Sequence, residues 1–395
     1  MKLFLFLAVL FISYTFSDDY GTKQDSLPNW QERALLVLTN TCRMDPEEYR
    51  DTYIQSGLDI LLPQNYPSVD PLYWNYNLNN AARDYANIMA DANTLSHELD
   101  GNFSNRLSKY YSGRNIGENI AYGYQDPFAV MIGWICETSN PSNAVPDGVN
   151  DGHRRNMMSS GFNELGCGYT KSVTVSDRGR QRITHWWCQD FGGGNSKYSY
   201  HPVPAASHFF TSDNEITFMA NCFSNNNQIT SVSLIIDNNN YNMELHIGEQ
   251  SRGTYILNLP LTSKSRNYYF LVELSDESTA RYPESGMLVT YGEGNSEKDF
   301  ISDSETNALI SNQPPVNKYP IQSCYMNGKL VLLSRGQYPS RTDIFDCSGR
   351  KVFSLKWNFK RKLVENSRFL SGKVLILAHN FNDGSVFVEK VNTGY

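Results

Sequence analysis

Ile183-Thr184-His185-Trp186-Trp187-Cys188-Gln189-Asp190-Phe191, closed by Gly192-Gly193-Gly194, is the stretch that decides the reading of the fold. Aromatic and β-branched residues bounded by glycine read as a strand, and a second such run, Glu164–Thr170, precedes it. Upstream of both, the apolar period is that of helices. Asn29 caps a helix in which Trp30, Ala34, Val37, Leu38 and Thr41 share one face. A second helix follows Pro71, with Leu78, Ala82, Tyr85 and Met89 at helical spacing. A third starts at Asp126-Pro127, an N-cap with proline at the first helical position, and its Phe128, Met131, Ile132 and Ile135 face a core. Residues 29–200 therefore read as an α+β domain with helices around a sheet.

From His201 the period becomes two. Ile216-Phe218-Ala220-Cys222, Val232-Leu234-Ile236, Met243-Leu245-Ile247 and Tyr255-Leu257-Leu259 alternate between Asn-, Gly- or Ser-rich turns. With Tyr268–Leu274 and Met287–Tyr291 they predict an Ig-like β-sandwich over 201–294. Residues 295–320, polar and holding Pro314-Pro315, read as a linker. Five further strand-like runs, at 330–333, 342–345, 352–355, 374–377 and 386–391, make 321–395 a small C-terminal β-domain.

The N-terminus sets the compartment. Lys2 precedes an apolar run, Leu3 to Ile12, and Thr15-Phe16-Ser17 offers small residues for cleavage. Such a run is a signal peptide, here 1–17, because a membrane span needs about 20 apolar residues. No later segment is long and apolar enough to be a transmembrane helix, so a secreted, extracellular chain is expected. The 395 residues are 40% hydrophobic and 19% charged, which excludes a disordered chain, and the net charge of -7 argues against a nucleic-acid partner. Asn102-Phe103-Ser104 is a glycosylation sequon.

Four residues could carry chemistry: His97 after the second helix, Glu118 in Gly117-Glu118-Asn119-Ile120-Ala121, Glu137 three residues past Trp134, and His153 before a short helix. Two imidazoles and two carboxylates at element ends can converge in a cleft. His97 and His153 would take a divalent, zinc-like metal, and a carboxylate would steer an imidazole or act as general base. On spacing alone the pattern is weak, being long and irregular beside a compact zinc motif.

The neighbouring residues weight it differently. Ser96-His97, Gly117-Glu118-Asn119-Ile120, Trp134 with Glu137, Gly152-His153-Arg154-Arg155-Asn156, Leu165-Gly166-Cys167-Gly168-Tyr169 and Trp186-Trp187-Cys188-Gln189-Asp190-Phe191-Gly192 occur in the order found in the CAP superfamily. That superfamily comprises cysteine-rich secretory proteins, antigen 5 and pathogenesis-related proteins (the SCP domain). The chain resembles it over roughly 30–195, and its Gly-His-Arg-x-Asn form is closest to the bacterial-type branch. The resemblance implies an α-β-α sandwich, a cleft where His97, Glu118, Glu137 and His153 meet, a metal-binding role for the two histidines, and a separate groove for sterol or other lipid. It implies no general catalytic activity. The sequence departs from that branch in the fifteen residues Thr138–Gly152 between Glu137 and His153, which bear on where Glu137 is placed. More faintly, Asp343–Val352 and Leu370–Val374 resemble the tail domains of bacterial type IX secretion.

The expected function is thus a secreted, non-catalytic CAP protein that binds a lipid, sterol or extracellular protein. The alternative is a metal-dependent hydrolase, a protease for instance, working through Glu118 and Glu137. No Gly-x-Ser-x-Gly elbow surrounds Ser96, and Asp147–Gly152 reads as a turn, not a calcium loop. Seven cysteines in an oxidising compartment predict the pairs Cys167–Cys188 on neighbouring strands, Cys324–Cys347 in the last domain and, less directly, Cys42–Cys136 between helices, with Cys222 left as a buried free thiol.

Overall fold

The Asn29 cap does what its sequence suggests. Its side chain accepts the Glu32 N–H at 2.9 Å while the Glu32 carboxylate accepts the Asn29 N–H at 2.8 Å, a reciprocal capping box that starts α1 (Trp30–Met44). The computed structural model describes residues 20–22, 28–290 (without 114, 176–178, 195, 213 and 263–264) and 300–301. Further along it describes 321–326, 329–334, 339–346, 350–356, 361–364, 374–380 and 386–392. The signal peptide 1–17 lies outside these residues, as does the linker 295–320 apart from 300–301. The chain forms two units, residues 1–306 and 307–395.

After α1 come α2 (Pro46–Tyr53), β1 (Tyr73–Trp74), α3 (Tyr76–Ala92), α4 (Phe103–Leu107), β2 (Ile116–Tyr122), α5 (Pro127–Cys136), α6 (Gly152–Met158), β3 (Glu164–Val175) and β4 (Gln181–Gly192). The four strands make one sheet in the order β1-β3-β4-β2, with β2 as an edge strand. On one face Ala82, Tyr85 and Met89 of α3 pack against Ile120, Trp186 and Cys188. On the other, α1 and α5 bury Leu38, Met131 and Trp134 together with Cys167 and Trp187. The helix α3 lies so close to β3 that a Cβ at Gly166 or Gly168 would sit 2.1 or 2.2 Å from its backbone. Only glycine allows that approach.

The same unit continues into two antiparallel sheets. Their strands are β5 (Ala205–Ser212), β6 (Glu215–Phe223), β7 (Ile229–Ile236), β8 (Asn239–Asn242), β9 (Glu244–Glu249), β10 (Arg252–Pro260), β11 (Asn267–Leu274), β12 (Thr279–Tyr282), β13 (Met287–Val289) and β14 (Phe300–Ile301). One sheet runs β5-β6-β10-β9 and the other β14-β13-β11-β7-β8, with β12 also on β11. Packing is continuous across residue 200. Thr41 of α1, Asn221 of β6 and Thr254 of β10 form a buried hydrogen-bonded triangle. Tyr20, fully buried, accepts the Trp74 N–H and donates to the Pro204 carbonyl. His201 and His208 are buried at this junction and hydrogen-bonded, His208 to the Tyr268 hydroxyl at 2.6 Å.

The second unit holds a three-stranded sheet, β15 (Ile321–Met326), β16 (Lys329–Ser334) and β19 (Arg361–Val364). Its four-stranded sheet is built from β17 (Arg341–Asp346), β18 (Lys351–Lys356), β20 (Val374–Asn380) and β21 (Val386–Asn392). Leu332, Ile344, Leu355, Leu375 and Leu377 are buried in it.

The cysteine pairing is corrected. Cys42, Cys136, Cys167, Cys188 and Cys222 are all free, buried thiols. Cys167 lies opposite Gln189 and Cys188 opposite Gly168, so Cys167 and Cys188 are one step out of register and project from opposite faces of the sheet. Neighbouring strands are not enough. Cys42 is turned to Met158, its Sγ 3.9 Å from the thioether sulfur. The Cys324 side chain and Cys347 lie outside the described residues.

Candidate functional site

The four residues singled out by sequence form two histidine–carboxylate pairs at the edge strand β2. Glu118 projects from β2 toward α3, beside Ile120, with its side chain only 2% exposed. The chain leaves α3 through Asn93, in the left-handed region at φ +47°, and brings His97 over it. His97 Nδ1 lies 2.7 Å from Glu118 Oε1. The other oxygen takes Arg106 of α4, whose guanidinium also donates to the His97 carbonyl at 3.1 Å and covers the Tyr85 ring.

The second pair is built by a helix end meeting a helix start. Glu137 ends α5 in the left-handed region, φ +57°, a conformation that costs a non-glycine residue roughly 1 kcal/mol or more. Three bonds hold it there: its carboxylate accepts the backbone N–H of His153 at 2.9 Å and of Arg154 at 3.3 Å, and Oε2 lies 2.5 Å from His153 Nδ1. His153 sits inside the first turn of α6, not ahead of it. The long Thr138–Gly152 connection does not displace Glu137. Asp147 in it accepts the Leu61 and Leu62 N–H groups at 3.0 and 2.9 Å and pairs with Arg154, which returns the chain to α5. Asp151 there takes Tyr66, Gly148 and Arg155. These carboxylates are spent on the turn.

Asn156 joins the two pairs through β2. Its amide donates to the Glu118 carbonyl at 3.1 Å and the Asn119 side chain at 2.9 Å, and Asn119 donates to the His153 carbonyl at 3.2 Å. Asn119 faces away from α3 toward Gln189, which reaches Thr39 of α1. Both histidines have Nδ1 engaged by a carboxylate, which leaves Nε2 as the ring nitrogen outside the pair. With side chains 51% and 34% exposed, His97 and His153 are the solvent-facing members of their pairs, over carboxylates that are 2% and 8% exposed.

Sequence reasoning missed what lies under His97. Glu118, Cys188 and Asp190 bring ligand-type atoms within 4.8 Å of one another, and all three are buried. Burial first, and then the Glu118 charge, push the Asp190 carboxyl well above its usual range, while Arg106 works the other way. Burial, then Asp190 and Glu118, also push the Cys188 thiol well up, so it is neither nucleophile nor thiolate ligand there. The motif Trp-Cys-Gln-Asp-Phe carried this signal, since alternate residues 188 and 190 share the face of Glu118. Ser96 is no nucleophile in waiting either: its hydroxyl accepts the Glu98 N–H at 3.2 Å.

The residues fit a divalent ion in part. Two imidazole Nε2 atoms are fewer than the three protein ligands usual for catalytic zinc, and Arg106 already neutralises Glu118. Every carboxylate oxygen of Glu118 and Glu137 is engaged by a histidine, an arginine or a backbone N–H, which leaves neither poised to activate water.

Residues 40–191 match the family model of the cysteine-rich secretory protein family, CAP. The Bacillus subtilis protein YkwD is 27% identical over 126 residues, which are 31% of this chain and 40% of that protein's length. Venom allergen-like protein 4 of Schistosoma mansoni is a similar solved structure, 19% identical, covering 43% of this chain and 92% of its own, with a TM-score of 0.27. An outer surface protein of Borrelia burgdorferi is also 19% identical, with 32% and 80% covered and a TM-score of 0.23. Among the described residues no helix is long and apolar enough to cross a membrane.

Proposed function

This chain belongs through residues 40–191 to the CAP superfamily, and on that premise we propose that it is a secreted, non-catalytic binding protein. Its His97–Glu118 and His153–Glu137 pairs form a recognition cleft that can hold a divalent ion, with a lipid, sterol or extracellular protein as the ligand class. The observation that carries this reading is the orientation of the imidazoles. Each is fixed through Nδ1 by a buried carboxylate, which leaves Nε2 as the ring nitrogen outside the pair. Nothing comparable serves a covalent mechanism: Ser96 caps the next turn and Cys188 is held as a thiol.

Elemental and lipid analysis of natively purified chain tests the reading, together with zinc titration of wild type and of a His97→Ala/His153→Ala variant. The expected result is a bound lipid or one exchangeable ion per chain, the ion lost in the double variant. A chelator-sensitive hydrolysis that Glu118→Gln abolishes would overturn it in favour of the hydrolase. Identical metal and lipid content in wild type and the double variant would remove the cleft from the function.

A further inference from the structure

Beyond the end of α3 lies a cavity of about 440 Å³ that the His–Glu cleft does not use. The β3–β4 ribbon extends past the last residue of β2, and it forms the floor: Thr174, Arg182, Thr184 and Trp186 line the pocket from β3 and β4. They project from one face, because Thr174 lies opposite Arg182 and the set 182, 184, 186 alternates with outward Ile183 and His185. Asn93 and Leu95, where the chain leaves α3, form one wall, and Tyr122 the other. We propose that this pocket is a subsite for an acidic saccharide, one bearing a carboxylate or a sulfate.

Three features point to that chemistry. First, Tyr122 is 49% exposed and stacks on Trp186 at 5.4 Å and 22°, and the buried indole is itself fixed by a 2.9 Å bond to Ser172 Oγ. One face of the phenol is thus used by the indole and the other is offered outward on a rigid support. The electron-rich face of an aromatic ring attracts the polarised C–H groups on one side of a sugar ring. Second, the walls are largely amide, hydroxyl and guanidinium groups, which match a ligand rich in hydroxyls and do not match an apolar one. The volume falls within the roughly 300–1,000 Å³ of small-molecule sites. Third, the exposed Arg182 side chain makes no ion pair among the described residues, and a free guanidinium is the group that binds planar carboxylates and sulfates with two hydrogen bonds. Tyr122 stands four residues along β2 from Glu118, about 13 Å, on the same face of the sheet. The pocket is a separate site.

Isothermal titration of the full chain with hexagalacturonate, sulfated maltohexaose and neutral maltohexaose tests the proposal. The expected result is binding of at least one acidic probe about tenfold or more tighter than maltohexaose, and which one binds tells carboxylate from sulfate. Arg182→Gln is expected to weaken the acidic probe about tenfold with its thermal unfolding unchanged, and Tyr122→Ala to weaken it at least as much. The proposal fails if no probe binds, if maltohexaose binds as well as the acidic sugars, or if Arg182→Gln binds like wild type. It fails equally if His97→Ala abolishes binding while Arg182→Gln does not, since the sugar would then sit in the cleft.

Discussion

Glu118→Gln tests the charge arrangement under His97 most directly. The Glu118 side chain is 2% exposed and its partner Arg106 6% exposed, so the substitution keeps the shape and removes the counter-charge of a buried guanidinium. Breaking a buried pair in this way costs about 3–5 kcal/mol when the surviving charge has no other partner. Here it has one in reserve. Burial and then the Glu118 charge push the Asp190 pKa up, whereas Arg106 draws it toward ionisation. Once Glu118 is neutral, Asp190 can ionise and take over Arg106, so the single variant is expected to lose only about 1–3 kcal/mol. Asp190→Asn alone leaves the Glu118–Arg106 pair intact and should cost less than about 1 kcal/mol near pH 4, a cost that shrinks or reverses by pH 7 because the variant has no raised carboxyl to titrate. The double variant has no carboxylate left for Arg106 and should lose the full 3–5 kcal/mol, more than the two single losses added.

The assay is urea denaturation at pH 7, read by tryptophan fluorescence, because Trp30, Trp74, Trp134, Trp186 and Trp187 all lie in the first unit. The pH dependence supplies an independent sign. A carboxyl with a raised folded-state pKa binds a proton that the unfolded chain has released, so its contribution is complete below about pH 4 and declines as pH rises toward the folded value. Wild type should therefore lose stability upward from pH 4 relative to Asp190→Asn, and the gap should widen with pH. Additive losses in the double variant, or a single Asp190→Asn as costly as Glu118→Gln, would refute the reasoning.

Three other outcomes follow from the same geometry. Burial, opposed by backbone hydrogen bonds, lowers the His201 pKa to about 4, so it is neutral in the fold; its 3.6 Å approach to Glu284 is too long to charge it. Stability from this group is complete above about pH 6.5 and falls by about 3 kcal/mol as pH drops through 4, and His201→Gln should flatten that part of the profile. Glu137→Gly should be more stable than Glu137→Ala by about 1 kcal/mol, the reverse of their helix preferences, because the position is left-handed; equal denaturation midpoints would contradict the strain. Thiol labelling of native protein without reductant should spare Cys42 and Cys136, whose pKa values burial pushes up to about 12 and 11, and also Cys167, Cys188 and Cys222. All five should react after denaturation, and a peptide cross-linked between Cys167 and Cys188 would overturn the assignment.

Much of the scaffold was legible because its signals are local. Asn29 with Glu32, Asp126 with Pro127, and the period of Leu78, Ala82, Tyr85 and Met89 each mark an element without reference to anything distant, and each element forms where they stand. The pairing of His97 with Glu118 and His153 with Glu137 was not legible from spacing. Each pair is closed by contacts from elsewhere in the chain: Arg106 on one, and on the other the Asp147 tether to Leu61 and Leu62. The strand β2 carries no clear period-two signal, since Gly117, Glu118 and Asn119 interrupt its apolar residues, and the sheet edge it forms was therefore invisible. The ordered motifs, not the periodicity, located the cleft.

The cysteines show what a residue count leaves out. An odd number in a chain expected to be secreted suggests three pairs and one leftover, yet pairing depends on which face of a strand each thiol occupies. That parity is set by register, which local sequence does not specify. Register puts Cys188 beside Glu118 and Asp190 and leaves Cys167 in the opposite layer against α1 and α5. A disulfide between them would pull Cys188 out of the cluster and expose Asp190 and Arg106 to a cavity where the thiol now packs. The free thiol thus packs over Glu118 and leans on Asp190, whose pKa it draws down against the effect of burial, and through Glu118 it borders the His97 ring. Cys188→Ala removes a hydrogen bond that draws the Asp190 pKa down, so the decline in stability above pH 4 should steepen relative to wild type, the reverse of the flattening in Asp190→Asn. An unchanged pH profile in Cys188→Ala would separate the thiol from the charge arrangement it covers.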